Sequence, residues 1–185
     1  MATLDVGSVG LALGSSMIDF VLSGVDGKIY TPNSFADKKA VVIIFSCNHC
    51  PYVQAYETRM VQLQQDYQHK GATLVAINSN DETGYPEDSF PNMVKRAREK
   101  RFNFPYLRDE TQDAARRYGA ICTPHCFAFD NKRVLRYKGK MDDNWRNPEQ
   151  VKIHDLRNAL DAMLVGKMPS VQETRPYGCS IKWKH

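Results

Sequence analysis

The sequence predicts a three-layer α/β domain, and three observations carry that prediction. Residues 40–45 are a continuous apolar run rich in β-branched side chains, as expected of a strand buried on both faces of a mostly parallel sheet, and 72–77 reads as a second buried strand. Each is followed by a segment whose apolar residues keep helical 3–4 spacing. Beyond Thr123-Pro124 two more strand-like runs flank a polar turn, which adds an antiparallel hairpin. At 185 residues the chain fits one domain of ~150 residues with some chain to spare. A domain of that size buries roughly 70% of its unfolded surface and needs no disulfide framework.

Taken in order, residues 1–18 are weakly patterned and read as an arm. Two short strands, 19–22 and 28–30, flank a turn marked by Asp26-Gly27. After strand 40–45, Pro51 opens a helix with Tyr56, Met60, Leu63 and Tyr67 on one face, closed by Gly71. Strand 72–77 leads through a loop rich in Asn, Asp and Gly to a helix over about 88–101, with Phe90, Met93, Val94 and Ala97 inward. Residues 105–107 read as a short strand, and 111–118 as a short helix capped by Gly119. The hairpin pairs 125–129 with 134–137. A last helix is expected from Asn147-Pro148-Glu149-Gln150, an N-cap with Pro at N1 and Gln at N3. Its stripe is Ile153, Leu156, Leu160 and Met163, ended by Gly166. The whole, 1–185, is read as one domain with an N-terminal arm (1–18) and an irregular tail (167–185).

Composition narrows the function classes. With 42% hydrophobic and 25% charged residues, the chain is neither collagen-like, low-complexity nor wholly disordered. No run approaches the ~18 apolar residues of a membrane span, and Met1 to Asp5 lacks the basic start of a signal peptide, so a cytoplasmic protein is expected. A net charge of +4 demands no nucleic-acid or membrane partner. The basic runs Lys95, Arg96, Arg98, Lys100, Arg101 and Lys132, Arg133, Arg136, Lys138, Lys140 come without a recognition motif and read as solvated faces. No cofactor is expected.

The unusual feature is five cysteines. An odd number cannot pair completely within one chain, and without a secretion signal cysteines read as redox-active or metal-binding. The centre is Cys47-Asn48-His49-Cys50-Pro51, placed between a buried strand and a helix start. Free N–H groups and the positive dipole end there favour a thiolate. A two-residue spacer around a helical turn brings two sulfurs within disulfide reach. Such a pair needs an attacking thiol, expected at Cys47, and a resolving one, expected at Cys50. His49 either tunes the thiolate or faces solvent.

The stretch Phe45-Ser46-Cys47-Asn48-His49-Cys50-Pro51-Tyr52-Val53 resembles thioredoxin-fold redoxins of the alkyl hydroperoxide reductase/thiol-specific antioxidant superfamily, especially a subgroup reading FxCNHCPYV. The match continues through Asn78-Ser79-Asn80-Asp81, Tyr85 to Phe90, Cys122-Thr123-Pro124 and Gly178 to Trp183, nearly the whole chain. The resemblance implies a thioredoxin-like three-layer sandwich, a mixed central sheet with helices on both faces. It also implies that Thr123-Pro124 is a cis-proline loop facing the redox pair, with a backbone edge open to an extended substrate. There are departures. Thioredoxin carries Trp where this chain has Ser46, and His125 and Cys126 replace the Asp and aromatic that follow Cys-Thr-Pro in related chains. The peroxiredoxin pattern PxxxTxxC fits neither cysteine, since Ile44 and Cys47 occupy the threonine positions.

Cys122 and Cys126 would have Cα atoms ~13 Å apart in extended chain, beyond the ~7 Å disulfide limit. Cys122 is read either as an auxiliary thiol near the redox pair or as a small buried hydrophobe, and Cys126 as core. Cys179, with aromatic and basic neighbours, is either a resolving thiol carried over the site by the tail or simply the odd one. A zinc or copper site from Cys47, Cys50, Cys122, His125 and Cys126 is the rival reading and is disfavoured by the ligand spacing. The expectation is a thiol–disulfide oxidoreductase acting on protein or small-molecule disulfides and thiols, with an unidentified reductant or oxidant. Thiol-dependent peroxidase is the alternative.

Overall fold

The computed structural model describes residues 10–185. Its strands are β1 (Leu22–Gly24), β2 (Ile29–Tyr30), β3 (Ala40–Ser46), β4 (Ala72–Asn78), β5 (Tyr106–Arg108), β6 (Cys122–Thr123), β7 (His125–Phe129), β8 (Leu135–Gly139) and β9 (Cys179–Ser180). Its α-helices are α1 (Pro51–Gln68), α2 (Phe90–Glu99), α3 (Asp113–Tyr118) and α4 (Asp155–Leu164). Seven strands form one mixed sheet in the order β2-β1-β5-β4-β3-β7-β8. β3, β4 and β5 run parallel; the remaining pairs, including the expected β7–β8 hairpin, are antiparallel.

Two-sided burial explains the unbroken apolar runs, because successive strand residues point to opposite faces. Val42, Ile44, Leu74 and Ala76 pack with residues of α1, α2 and α4. Val41, Ile43, Phe45, Val75 and Ile77 pack with α3, with Met17 and Phe20 of the N-terminal segment, and with Ile181 of the tail. Ile43 and Ile44 are both fully buried, each contributing about 1.5–3 kcal/mol of transfer free energy. The arrangement is three layers, with helices on both faces of a mixed sheet.

Several boundaries differ from the sequence expectation. The stretch from Asn147 is not one helix. Asn147 Oδ1 accepts from Glu149 N at 3.0 Å, but that cap serves a single 3-10 turn, Pro148–Gln150. Asp143 then takes the next residues: its N–H donates to Ile153 O (3.2 Å) and its Oδ1 accepts from Lys152 N (2.9 Å). The helix therefore starts at Asp155, and Ile153 is 51% exposed rather than part of the buried stripe. The helix expected over 88–101 starts at Phe90, because Asp88 belongs to the 3-10 turn Pro86–Asp88 and its carboxylate turns inward. Helix α1 ends at Gln68, and Gly71, at φ +92°, swings the chain into β4.

The tail is not irregular throughout. β9 pairs antiparallel with β6, Cys122 opposite Ser180 and Thr123 opposite Cys179. Of the N-terminal arm, residues 1–9 lie outside the described residues; Ser16 bridges to Val134 and Met17 is buried. Among the described residues, no helix is long and apolar enough to cross a membrane. Ser46, Asn78 and Arg108 stand side by side where the parallel strands end, and the crevice beyond such carboxyl ends is where open α/β sheets bind ligands.

Candidate active site

Cys47 follows directly on β3, and Cys50 is the N-cap of α1, its carbonyl accepting from Gln54 N at 3.0 Å. Pro51 occupies N1, where a missing N–H costs nothing. Thr123, whose peptide bond to Pro124 is cis, contacts both sulfurs. Its Oγ1 lies 3.3 Å from Cys47 Sγ, and its carbonyl accepts from Cys50 Sγ at 3.2 Å. Cys47 keeps 2% of its surface exposed and Cys50 none.

A proton on one sulfur favours the thiolate on the other. The hydrogen bond from Cys47 pulls Cys50 down to about 4; burial opposes this, and hydrogen bonding from the Cys179 thiol and the Val53 N–H assists it. The same sulfur–sulfur bond, together with burial and the nearby Asp88 charge, holds Cys47 well above the ordinary thiol range. The first proton thus leaves the pair readily and the second with difficulty. Cys50, not Cys47, caps the helix, so the free amide of the first turn reaches the inner sulfur.

A buried polar cluster holds the loop between the cysteines. Asp88 Oδ1 accepts from Asn48 N (2.6 Å) and Asn78 Nδ2 (3.2 Å), and its Oδ2 from Asn80 Nδ2 (2.8 Å) and His49 Nδ1 (2.5 Å). Those four donors fill the roughly four acceptor positions a carboxylate offers and fix the His49 proton on Nδ1. Asn48 is gripped as well: its Oδ1 accepts from Tyr106 OH (2.9 Å) and its Nδ2 donates to Glu87 O (2.7 Å). The His49 ring stacks on Tyr85 with centroids 4.9 Å apart. Part-buried beside Tyr85 and bonded to Asp88 rather than to a thiol, it braces the loop. A cleft of about 420 Å³ opens beside it, lined by Asn48, His49, Gln54, Glu87, Lys95 and Arg96 among others.

Cys47, His49 and Asp88 each offer an atom within 4.8 Å of the others, a spacing a metal ion accepts. The Asp88 oxygens, however, are already saturated by protein donors. The metal set weighed from the sequence is not assembled among the described residues. Cys126 packs on the α1/α2/α4 side of the sheet, whereas its neighbour His125 lies against Phe127, whose ring centroid is 4.4 Å away, on the other side.

Two of the three remaining thiols lie beside Cys50. Cys122, in β6, is pushed up to about 12 by burial and by the charge on Cys50 and Cys179, and its Sγ lies 3.7 Å from Pro124 O. Cys126 is fully buried in the core. Cys179 packs against Cys47, Cys50 and Val53 and is raised to about 11 by burial and by its hydrogen bond to Cys50. Sequence reasoning missed Asp88, Asn78, Asn80 and Tyr106 as site residues. The available signal was the polar run Asn78-Ser79-Asn80-Asp81 at the carboxyl end of a buried strand.

The profile of the AhpC/TSA family matches residues 13–138. The chain is similar to a hypothetical protein from Sinorhizobium meliloti 1021, with 37% identity, 94% of this chain and 96% of that one covered, and a TM-score of 0.89. It is similar also to an uncharacterized conserved protein from Geobacillus kaustophilus, with 43% identity, coverage of 94% and 93%, and a TM-score of 0.88. A putative thiol:disulfide interchange protein DsbE from Chlorobium tepidum shares the fold at 23% identity, with 69% of this chain and 84% of that one covered and a TM-score of 0.60. No curated protein matches the chain.

Proposed function

The chain belongs to the AhpC/TSA family and has a thioredoxin-like α/β fold, and from that premise we propose that it is a thiol–disulfide oxidoreductase working through Cys47 and Cys50. The observation that carries the reading is the pair of sulfurs at a helix N-terminus, both touching Thr123. Cys47 is the outer sulfur and makes the attack. As a substrate disulfide arrives, the proton of the pair sits on Cys50, whose thiol donates to the Thr123 carbonyl, and the Thr123 hydroxyl donates to the thiolate on Cys47. That thiolate breaks the substrate S–S bond, forming a mixed disulfide and expelling one substrate thiolate, which takes the proton from Cys50. The Cys50 thiolate then attacks Cys47 Sγ, closing the Cys47–Cys50 disulfide and expelling the second thiolate.

His49 and Asp88 hold the loop that presents Cys47, and Thr123-Pro124 positions both sulfurs. A thiol reductant returns the pair to the dithiol, and no cofactor enters the cycle. The cytoplasm, where cysteines stay reduced, is the compartment this chemistry suits. The test is turnover of a small disulfide by wild type and by Cys47→Ser in the presence of a thiol reductant. The variant is expected to fall to the uncatalysed rate, and equal turnover by the two proteins defeats the proposal. The same assay with hydrogen peroxide decides against the peroxidase alternative if wild type and variant consume it equally.

A further inference from the structure

The C-terminal tail crosses the redox site as a fixed strand. Thr123, the residue that touches both sulfurs, has its backbone paired antiparallel to Cys179. That is the edge which the resemblance leaves open to an extended substrate, and here the chain fills it with its own cysteine-bearing segment. The approach is close enough to need glycine: a Cβ on Gly178 would lie 2.0 Å from the Thr123 carbonyl oxygen. Both flanks of Cys179 are anchored. On one side, Tyr177 OH donates to Asp142 O (2.5 Å) and meets Tyr56 OH at 3.0 Å. On the other, Ile181 is buried, Lys182 N donates to Asn80 Oδ1 (2.9 Å), and Lys182 O accepts from Asp81 N and Gln112 Nε2 (both 2.8 Å).

We propose that Cys179 is a third redox thiol of the site, occupying the position of a substrate cysteine and exchanging with Cys50. The inference rests on Cys47 and Cys50 being the redox pair. In the oxidised protein Cys179 attacks Cys50 Sγ; the Cys47–Cys50 bond breaks, a Cys50–Cys179 bond forms, and Cys47 leaves as the thiol carrying the proton Cys179 gives up. No electrons are gained or lost, so the step needs no outside oxidant. Its partner is the inner sulfur: Cys179 packs against Cys50, and the strand partner of Cys179, Thr123, accepts from the Cys50 thiol through its carbonyl. The exchange returns the outer sulfur to its nucleophilic form while the oxidising equivalent stays on the tail.

The test is oxidation of full-length wild type and Cys47→Ser with oxidised glutathione, alkylation of remaining thiols, and mass-spectrometric mapping of linked peptides. In Cys47→Ser the partly exposed Cys179 is expected to capture glutathione and Cys50 to displace it, giving a Cys50–Cys179 link in most molecules. In wild type that link is expected alongside Cys47–Cys50, with Cys47 alkylated wherever it occurs. Cys179 alkylated in full in both proteins, or Cys47→Ser halted at a Cys179–glutathione adduct, overturns the inference. Loss of the Cys47–Cys50 disulfide from oxidised wild type overturns the proposed function instead, while the Cys50–Cys179 link in Cys47→Ser is read separately.

Discussion

Cys50→Ser is expected to stop at a covalent adduct with its substrate on Cys47, nearly stoichiometric with protein, while steady-state turnover falls to background. The outer sulfur keeps its position after β3 and its contact with the Thr123 hydroxyl at 3.3 Å, so the first exchange goes ahead. Removing Cys50 also removes the largest influence holding the Cys47 proton, the hydrogen bond between the sulfurs, so attack is not handicapped by the substitution. What is lost is the thiolate that would displace the bound substrate half. Serine cannot replace it, because a hydroxyl neither ionises readily nor forms a disulfide. Intact-mass analysis after exposure to a small disulfide reads the outcome. Turnover by Cys50→Ser at the wild-type rate would assign resolution to another thiol and contradict the two-sulfur cycle.

Asp88→Asn carries the second large effect, and it acts on both stability and potential. Asp88 is fully buried and accepts four hydrogen bonds. An asparagine offers one oxygen and one NH2. With the oxygen kept toward Asn48 N and Asn78, the NH2 faces the NH2 of Asn80, and a stranded buried donor costs about 1–3 kcal/mol. For a domain of this size that lowers Tm by roughly 2–4 °C per kcal/mol. The charge lost at Asp88 is one that raises Cys47, so Cys47 ionises more easily in the variant. A more stable thiolate stabilises the reduced form, which moves the reduction potential upward, toward a stronger oxidant; a shift of 30 mV corresponds to about 1.4 kcal/mol for two electrons. Thermal unfolding and a glutathione titration measure the two effects. An unchanged Tm together with a potential that falls would contradict the role given to this carboxylate.

The legible parts of the fold were those written in adjacent residues. Residues 40–45 announce a strand buried on both faces, and the strand–CxxC–Pro51 order places two sulfurs at a helix start without any knowledge of the remaining chain. The cap signal at Asn147 was equally local and equally genuine, yet it organises a single turn. Hydrogen bonds between Asp143 and residues 152 and 153 compete with the helix, and a sequence window does not contain that competition. The site was illegible for the same reason. Asp88 reaches Asn48 across 40 positions, and Thr123 meets Cys179 only because the tail returns over the sheet. Which cysteine receives the Val53 amide likewise depends on which one serves as N-cap, a one-turn difference that spacing alone does not resolve.

The central claim is that Cys47 and Cys50 form one exchanging pair. It is tested most directly by equilibrating the protein across a series of reduced and oxidised glutathione buffers, quenching with an alkylating agent and mapping every cysteine by mass spectrometry. The account predicts a two-electron transition in which a Cys47–Cys50 disulfide appears as the buffer becomes oxidising, with Cys126 remaining a thiol throughout. Cys47 and Cys50 both recovered as free thiols across the whole series would contradict it.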